Sequence, residues 1–330
     1  MDDTRAPVTA PVVRRRTVLS GAGAALVGAL TSCGSGPDYP AGPLRIASGS
    51  RGGVYYEYAR GIAAVVRAVL PRLQPEVLET NASLQNLWRL AAGRAELAFT
   101  SADAAADAYR GVGRFAAAIP MAALARIYES YLHLVVRQDR AIRRVADLRG
   151  KAVSIGALYS GTELFATRVL TLAGLDPAQD LRAERLDPKP AADAVRAGRL
   201  DAMFFLGGIP TSAVKDLRDN GTPVTLLDLS DYVQPLRDNF GEVYLERTIP
   251  ASTYGLPTRT VTAGVANYLV VLSSMDDREA YWLVRALFEH RAMLAAAHPA
   301  GSRLDRSAAI GTSLLPLHPG AERYYREAKR

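Results

Sequence analysis

Apolar positions in this chain alternate between strand-like runs and helical spacing, separated by small-residue turns. Leu44-Arg45-Ile46-Ala47-Ser48 is a short strand that ends in Gly49-Ser50-Arg51-Gly52-Gly53. Val54, Tyr58, Ile62, Val65, Val66 and Val69 then fall on one helical face, and Pro71 stops that helix. A second helix starts near Ser83 and carries Leu84, Leu87, Trp88 and Leu90 toward Gly93. Glu96-Leu97-Ala98-Phe99-Thr100 follows as a strand. Strand, glycine-rich turn and helix in that order make the βα unit of an open α/β sheet.

The helix–glycine–strand unit occurs twice. Ala92-Gly93-Arg94-Ala95-Glu96-Leu97-Ala98-Phe99 matches Ala197-Gly198-Arg199-Leu200-Asp201-Ala202-Met203-Phe204 in character at every position. Both glycines suit a left-handed helix cap. The copies lie far beyond the roughly 20–50-residue period of a solenoid, so they predict two lobes of related layout. Two longer apolar runs, 124–136 and 261–272, predict strands on which the chain crosses from one lobe to the other and back. The expected fold is therefore α/β and two-lobed, with two crossover strands as a hinge. Lobe 1 takes 44–136 plus 264–330, including a helix over 281–296, and lobe 2 takes 137–263. Ligands of open α/β sheets sit beyond the carboxyl ends of the strands, which places a cleft at the turns after them.

The first 43 residues break this pattern. Arg14-Arg15-Arg16 precede an apolar stretch over 18–30, then Leu30-Thr31-Ser32-Cys33 and the polar Gly34-Ser35-Gly36-Pro37. A charged segment, a short apolar segment and a small-residue junction form an export signal. The apolar stretch is shorter than the roughly 20 residues of a membrane span. Residues 1–32 are read as the signal and 33–43 as a tether. Cys33, the only cysteine in the chain, is the lipidation site of a lipobox-like motif, and Arg15-Arg16-Thr17-Val18-Leu19 resembles a twin-arginine export motif. Without a second cysteine the exported part has no internal disulfide and relies on packing.

Charge adds little. The formal net charge is +7, and the four arginines and two aspartates of the signal account for two of those positive charges. The remaining arginines alternate with acids, as in Arg182-Ala183-Glu184-Arg185, and form no stripe of the kind nucleic acid requires. With 49% hydrophobic and 22% charged residues, the composition is that of a globular chain.

Four turns supply candidate cleft chemistry. The first, Gly49 to Tyr56, combines glycines for close backbone approach with a helix start whose N–H groups face an anion, and taken alone it is equally a structural turn. In the second, Asn81-Ala82-Ser83-Leu84-Gln85-Asn86, Ser83 suits an N-cap. In the third, Thr100-Ser101-Ala102-Asp103, Ser101 and Asp103 either cap the next helix or touch a ligand. The fourth, Gly156-Ala157-Leu158-Tyr159-Ser160-Gly161-Thr162-Glu163, follows the strand Ala152-Val153-Ser154-Ile155 and opens a helix with two hydroxyls, a ready carboxylate or phosphate seat that needs no lysine or arginine. Its facing partner is Phe205-Leu206-Gly207-Gly208-Ile209-Pro210, with Pro210 as the first helical residue. Arg51 is a further carboxylate partner. The four histidines, His133, His290, His298 and His318, are dispersed, and no Gly-x-Ser-x-Gly elbow or zinc spacing is present. Binding chemistry outweighs catalytic chemistry.

Arg51-Gly52-Gly53-Val54-Tyr55-Tyr56, the segment 83–86, the Ser-Gly-Thr-Glu of 160–163, the Phe-Leu-Gly-Gly-Ile-Pro of 205–210 and the late Leu317-His318-Pro319-Gly320 stretch resemble the TAXI family of TRAP-transporter solute receptors, in order along nearly the whole exported chain. The resemblance implies a periplasmic-binding-protein fold that closes on a small ligand and passes it to a membrane permease. It also implies ligands such as glutamate and 2-oxoglutarate. Tyr55, Ser160, Gly161, Thr162, Gly207 and Gly208 match the family's cleft positions, and Gly53, Ser83, Asn86, Ser101, Asp103 and Tyr159 complete the expected ligand set. The chain departs from the family at Glu57, Ser101 and Tyr159, which stand for proline, glutamine and glycine. Tyr159 is expected to narrow the pocket or stack on the ligand. The expectation is a monomeric, non-enzymatic receptor without cofactor or metal, anchored through Cys33 outside the cell membrane. The alternatives are a ligand-sensing partner of a membrane histidine kinase and a surface-anchored hydrolase or transferase on the same fold.

Overall fold

The computed structural model describes residues 39–329; Cys33, the export signal and most of the tether lie outside the described residues. Ten strands form one sheet: β1 Gly42–Ala47, β2 Leu73–Leu78, β3 Leu97–Ser101, β4 Met121–Arg137, β5 Ala152–Ser154, β6 Arg182–Glu184, β7 Ala202–Gly207, β8 Val224–Leu226, β9 Leu245–Ile249 and β10 Thr260–Leu272. The helices on it begin with α1 Val54–Val69, α2 Ser83–Ala91, α3 Ala102–Arg110, α4 Gly161–Leu172, α5 Pro188–Arg196, α6 Ser212–Asp219, α7 Ser230–Phe240, α8 Ala251–Tyr254 and α9 Asp277–Glu289.

The strand order is β2-β1-β3-β10-β4-β7-β5-β6, with β8 against β4 and β9 against β10. β2, β1 and β3 are parallel to one another, as are β7, β5 and β6. The long antiparallel pair β4 and β10 joins the two arrays. β4 pairs with β10 over Met121 to Tyr131 and with β7 from Tyr131 onward. This is the two-lobed α/β layout that the alternating pattern predicts. β4 and β10 are buried along most of their length, with apolar residues from both faces in the packed clusters.

Packing divides along the same axis. One apolar cluster gathers α1, α9 and the C-terminal helix Pro319–Glu327 on β1, β3 and the first half of β4, centred on Tyr58, Ile62, Phe99 and Leu287. Another packs α5 and α6 against β7 and β8 through Val195, Met203 and Val214. A third runs between α2, α3, α4 and α7, with Leu87, Phe165, Leu236 and Tyr244 at its centre.

Three local expectations are corrected. The helix read over 281–296 is two helices, Asp277–Glu289 and Arg291–Ala297, with His290 at φ −115° and ψ 29° between them. Pro210 is not the first residue of α6, which begins at Ser212 with Thr211 as its N-cap. Ile155 follows β5 without belonging to it. Gly93 and Gly198 do adopt positive φ, 63° and 71°, the left-handed geometry of a helix stop.

Candidate functional site

The strand tips and helix starts enclose a cleft of about 700 Å³, its open mouth included. Four helix N-termini line it: Gly53 to Tyr55 from α1, Ala82 and Ser83 from α2, Ser160 to Thr162 from α4, and Asp187 with Pro188 from α5. The first turn of a helix leaves N–H groups without intrahelical acceptors and carries a partial positive charge; α1, α2 and α4 present such groups, whereas Pro188 and Pro190 remove two of them from α5. The lining contains no lysine or arginine, and its only ionisable acid is Asp187. Positive potential in this cleft therefore comes from backbone, reinforced by hydroxyls.

Two glycines let the turns approach. Gly156 sits at φ +97°, and a Cβ there would fall 2.5 Å from the Thr162 Cβ. At Gly161 a Cβ would lie 2.9 Å from both the Ser83 and Ser101 hydroxyl oxygens, so glycine lets the start of α4 press against α2 and β3. Ser160 Oγ accepts the Glu163 N–H at 3.0 Å and caps α4. Glu163 in turn accepts the Tyr159 N–H at 2.7 Å and Arg185 Nε at 2.7 Å. Thr162 Oγ1 accepts the Leu206 N–H at 3.1 Å, tying the seat to β7. As acceptors, both hydroxyls keep a proton to donate into the cleft.

The floor comes from the two long strands. Tyr55 Oη donates to Asn267 Oδ1 at 2.5 Å, and Asn267 Nδ2 donates to Ser130 Oγ at 2.9 Å and to the Tyr128 carbonyl at 3.2 Å. The β10–β4 register shifts beside Asn267, a bulge of the type that re-aims a side chain. Burial pushes the Tyr55 and Tyr128 phenols up from their ordinary value, so both stay neutral donors.

Of the residues predicted from sequence, Gly53, Tyr55, Ser83, Ser160, Gly161, Thr162 and Gly207 line this cleft, and the others stand outside it. Asn86 spends its side chain inside the lobe, accepting from Thr80 Oγ1 and donating to the Ser48 and Phe99 carbonyls. Ser101 lies one layer behind, donating its N–H to Ser83 Oγ, and its own buried hydroxyl has no partner among the described residues. Asp103 caps the Ala104 N–H and accepts from Tyr244 Oη. Tyr159 turns away from the cleft: its ring meets Trp88 edge-on at 4.9 Å and lies under Arg114, so it neither narrows the pocket nor stacks on its contents. Gly208 faces Tyr128 in an adjoining groove. Arg51 is 74% exposed and pairs with Glu79 at 2.8 Å in the groove that adjoins the cleft.

Sequence reasoning missed Tyr128, Ser130, Asn267 and Asp187. A visible signal marked one of them, because Asn267 is an amide inside the apolar run of β10, where an unpartnered amide is costly. Among the described residues no cluster of His, Cys, Asp and Glu has the arrangement of a metal site. His133 is buried away from the cleft, between the Tyr131 carbonyl and Tyr254 Oη at 2.9 Å each.

The family model described as NMT1-like matches residues 46–328. Among solved structures, MatC from Rhodopseudomonas palustris with bound malate is 16% identical, with a TM-score of 0.52 over 80% of this chain and 90% of that one. A protein from Bordetella bronchiseptica RB50 is 18% identical, with a TM-score of 0.51 over 84% and 83%. A weaker likeness, TM-score 0.47 at 17% identity over 87% and 83%, is to the periplasmic aliphatic sulphonate binding protein SsuA from Escherichia coli.

Proposed function

The chain belongs to the NMT1-like family, and from that premise we propose that it is an extracytoplasmic solute receptor of the TAXI type. It captures a small carboxylate, of which glutamate and 2-oxoglutarate are the first to test, and delivers it to a TRAP-type permease. It does no chemistry on its ligand. A lipid on Cys33 holds it at the outer face of the cell membrane, and lobes 44–136 plus 264–330 and 137–263 close on the ligand as a shift between open and closed populations.

The observation that carries this reading is the convergence of three helix N-termini, those of α1, α2 and α4, on one cleft lined without lysine or arginine. A carboxylate seated at the start of α4 receives the Gly161 and Thr162 N–H groups and the Ser160 and Thr162 hydroxyls, so its charge is met by oriented dipoles. The shared fold with a structure that holds malate is compatible with this reading.

Calorimetric titration of the purified exported chain with small carboxylates tests it. Binding that weakens at least tenfold in a Ser160→Ala/Thr162→Ala variant is expected. Silence across every carboxylate would remove the ligand class, and unchanged affinity in the variant would remove the seat. A Cys33→Ser variant should leave the membrane fraction for the soluble one, and retention on the membrane would overturn the anchor.

A further inference from the structure

We infer that lobe 1 rests on the bilayer surface through the face where α9 meets the C-terminal helix, around Tyr39, Tyr281 and Trp282. This rests on the lipid anchor at Cys33 proposed above and states which way that anchor turns the receptor. Only residues 33–38 separate Cys33 from Tyr39. Fully extended they reach about 20 Å, whereas a globular chain of this size is roughly 50 Å across. A lipid on Cys33 therefore brings only the surface near Tyr39 to the headgroups.

Tyr39 packs beside Trp282 with the ring centroids 4.9 Å apart, and Tyr281 meets Trp282 edge-on at 5.8 Å. All three residues are half-buried, so part of each ring stays at the surface. Arg285 lies over Trp282 at 5.0 Å and Arg323 over Tyr281 at 4.2 Å. Tyrosine and tryptophan collect at the headgroup level of a bilayer, and cations beside them meet anionic lipid. The acids nearest these rings are occupied: Glu289 by Arg285, Glu322 by Arg326, and Glu327 by the Tyr281 hydroxyl. Acids and cations balance on this face, so the rings rather than net charge carry the contact. The other surface within reach, where β1 and β2 begin, is lined by Pro43, Gln74, Pro75 and Glu76 without an aromatic ring, and its Arg45 is committed to Glu96. The aromatic face shares no residue with the cleft lining, so resting on it leaves that lining uncovered.

The sole cysteine makes the test direct. The purified exported chain, unlipidated, is coupled through Cys33 to maleimide-bearing phosphatidylethanolamine. The vesicles are phosphatidylcholine and phosphatidylglycerol, with a nitroxide quencher on a share of the headgroups. The chain has two tryptophans, Trp88 and Trp282, and Trp88 packs in a different apolar cluster, against Phe115 and Tyr159. On coupling, Trp88→Phe, which keeps Trp282, should lose most of its emission, and Trp282→Phe, which keeps Trp88, should change little. Adding Tyr39→Asp and Arg323→Glu to Trp88→Phe removes one ring and one exposed cation and puts two negative charges on the face. That variant should recover its emission and melt with its parent, because both positions are at the surface. Equal quenching of both tryptophans, quenching of neither, or Trp282 quenching that survives the two added substitutions overturns the inference. The coupling is chemical, so these outcomes are independent of whether the cell lipidates Cys33, which fractionation of Cys33→Ser decides. Retention of Cys33→Ser on the membrane removes the anchor, and this orientation with it.

Discussion

Replacing Arg168 by methionine should be among the most damaging single changes in this protein. Its guanidinium is 9% exposed and reaches Asp107 Oδ2 and Tyr244 Oη at 2.5 Å each. Tyr244 Oη donates onward to Asp103 Oδ2 at 3.2 Å, and the Phe240 ring lies 4.5 Å from the guanidinium. Asp103 and Asp107 come from α3, Arg168 from α4 and Tyr244 from the segment before β9. Methionine keeps much of the apolar stem but leaves two buried carboxylates without a cation. Stranding a buried charge in this way costs about 3–5 kcal/mol, a large share of the roughly 5–15 kcal/mol that holds a typical domain. The pH dependence gives a sharper test. Burial already pushes the Asp107 carboxyl above its ordinary value, against the pull of Arg168, and removing Arg168 raises it further. A carboxyl whose folded value exceeds its unfolded value binds its proton more tightly in the folded state, so the variant regains stability as pH falls toward the unfolded range near 4. Urea unfolding of wild type, Arg168→Met, Asp107→Asn and the double variant at pH 7 and pH 5 measures this. The gap between wild type and Arg168→Met should narrow at pH 5, and the double variant should be more stable than Arg168→Met. A cost below about 1 kcal/mol at pH 7, or a gap that does not narrow, would refute the reasoning. On the proposed lobe boundaries this network joins the two lobes, so its loss should also favour the open form in small-angle scattering.

Two further outcomes follow from the geometry. Burial lowers His133 from 6.5 to about 4; below pH 6.5 the unfolded chain takes up a proton that the folded state refuses, so stability falls by about 2 kcal/mol between pH 7 and pH 5. A His133 imidazole that titrates near 6.5 in proton NMR would contradict this. Gly161→Ala brings a methyl within 2.9 Å of the Ser83 and Ser101 hydroxyl oxygens. Overpacking of this kind should cost about 1–3 kcal/mol of stability, while calorimetry on the folded variant shows at least tenfold weaker carboxylate binding; a variant that binds like wild type would show that the start of α4 is not the seat.

What the sequence reveals and conceals follows from how far each contact reaches along the chain. β4 and β10 are legible to within three residues at each end because a strand buried on both faces is rich in apolar residues along its whole length, whatever it pairs with. Gly93 and Gly198 are legible because a helix stop is local chemistry. The start of α4 is legible for the same reason: a serine cap, a glycine and a threonine occupy consecutive positions, and local geometry alone brings their groups together. Tyr159 shows the limit. It adjoins that seat in sequence, but its φ of +65° and its packing against Trp88, on another helix, turn the ring out of the cleft. Asp103 was readable as a cap or a ligand group, and what decides its role is an arginine and a tyrosine 65 and 141 residues farther on.

The same distinction bears on the charge of the site. A seat made of backbone N–H groups and hydroxyls is legible in Ser160-Gly161-Thr162 because it is local. The pairing of Arg51 with Glu79, just past β2, is not, because it depends on the parallel pairing of β1 and β2 that brings the two loops beyond them together. That the starts of α1, α2 and α4 converge on one cleft becomes visible only once the sheet order is known. The sheet thus assembles the positive side of the site from main chain, and an anion there is met by oriented N–H groups and hydroxyls rather than by a side-chain cation.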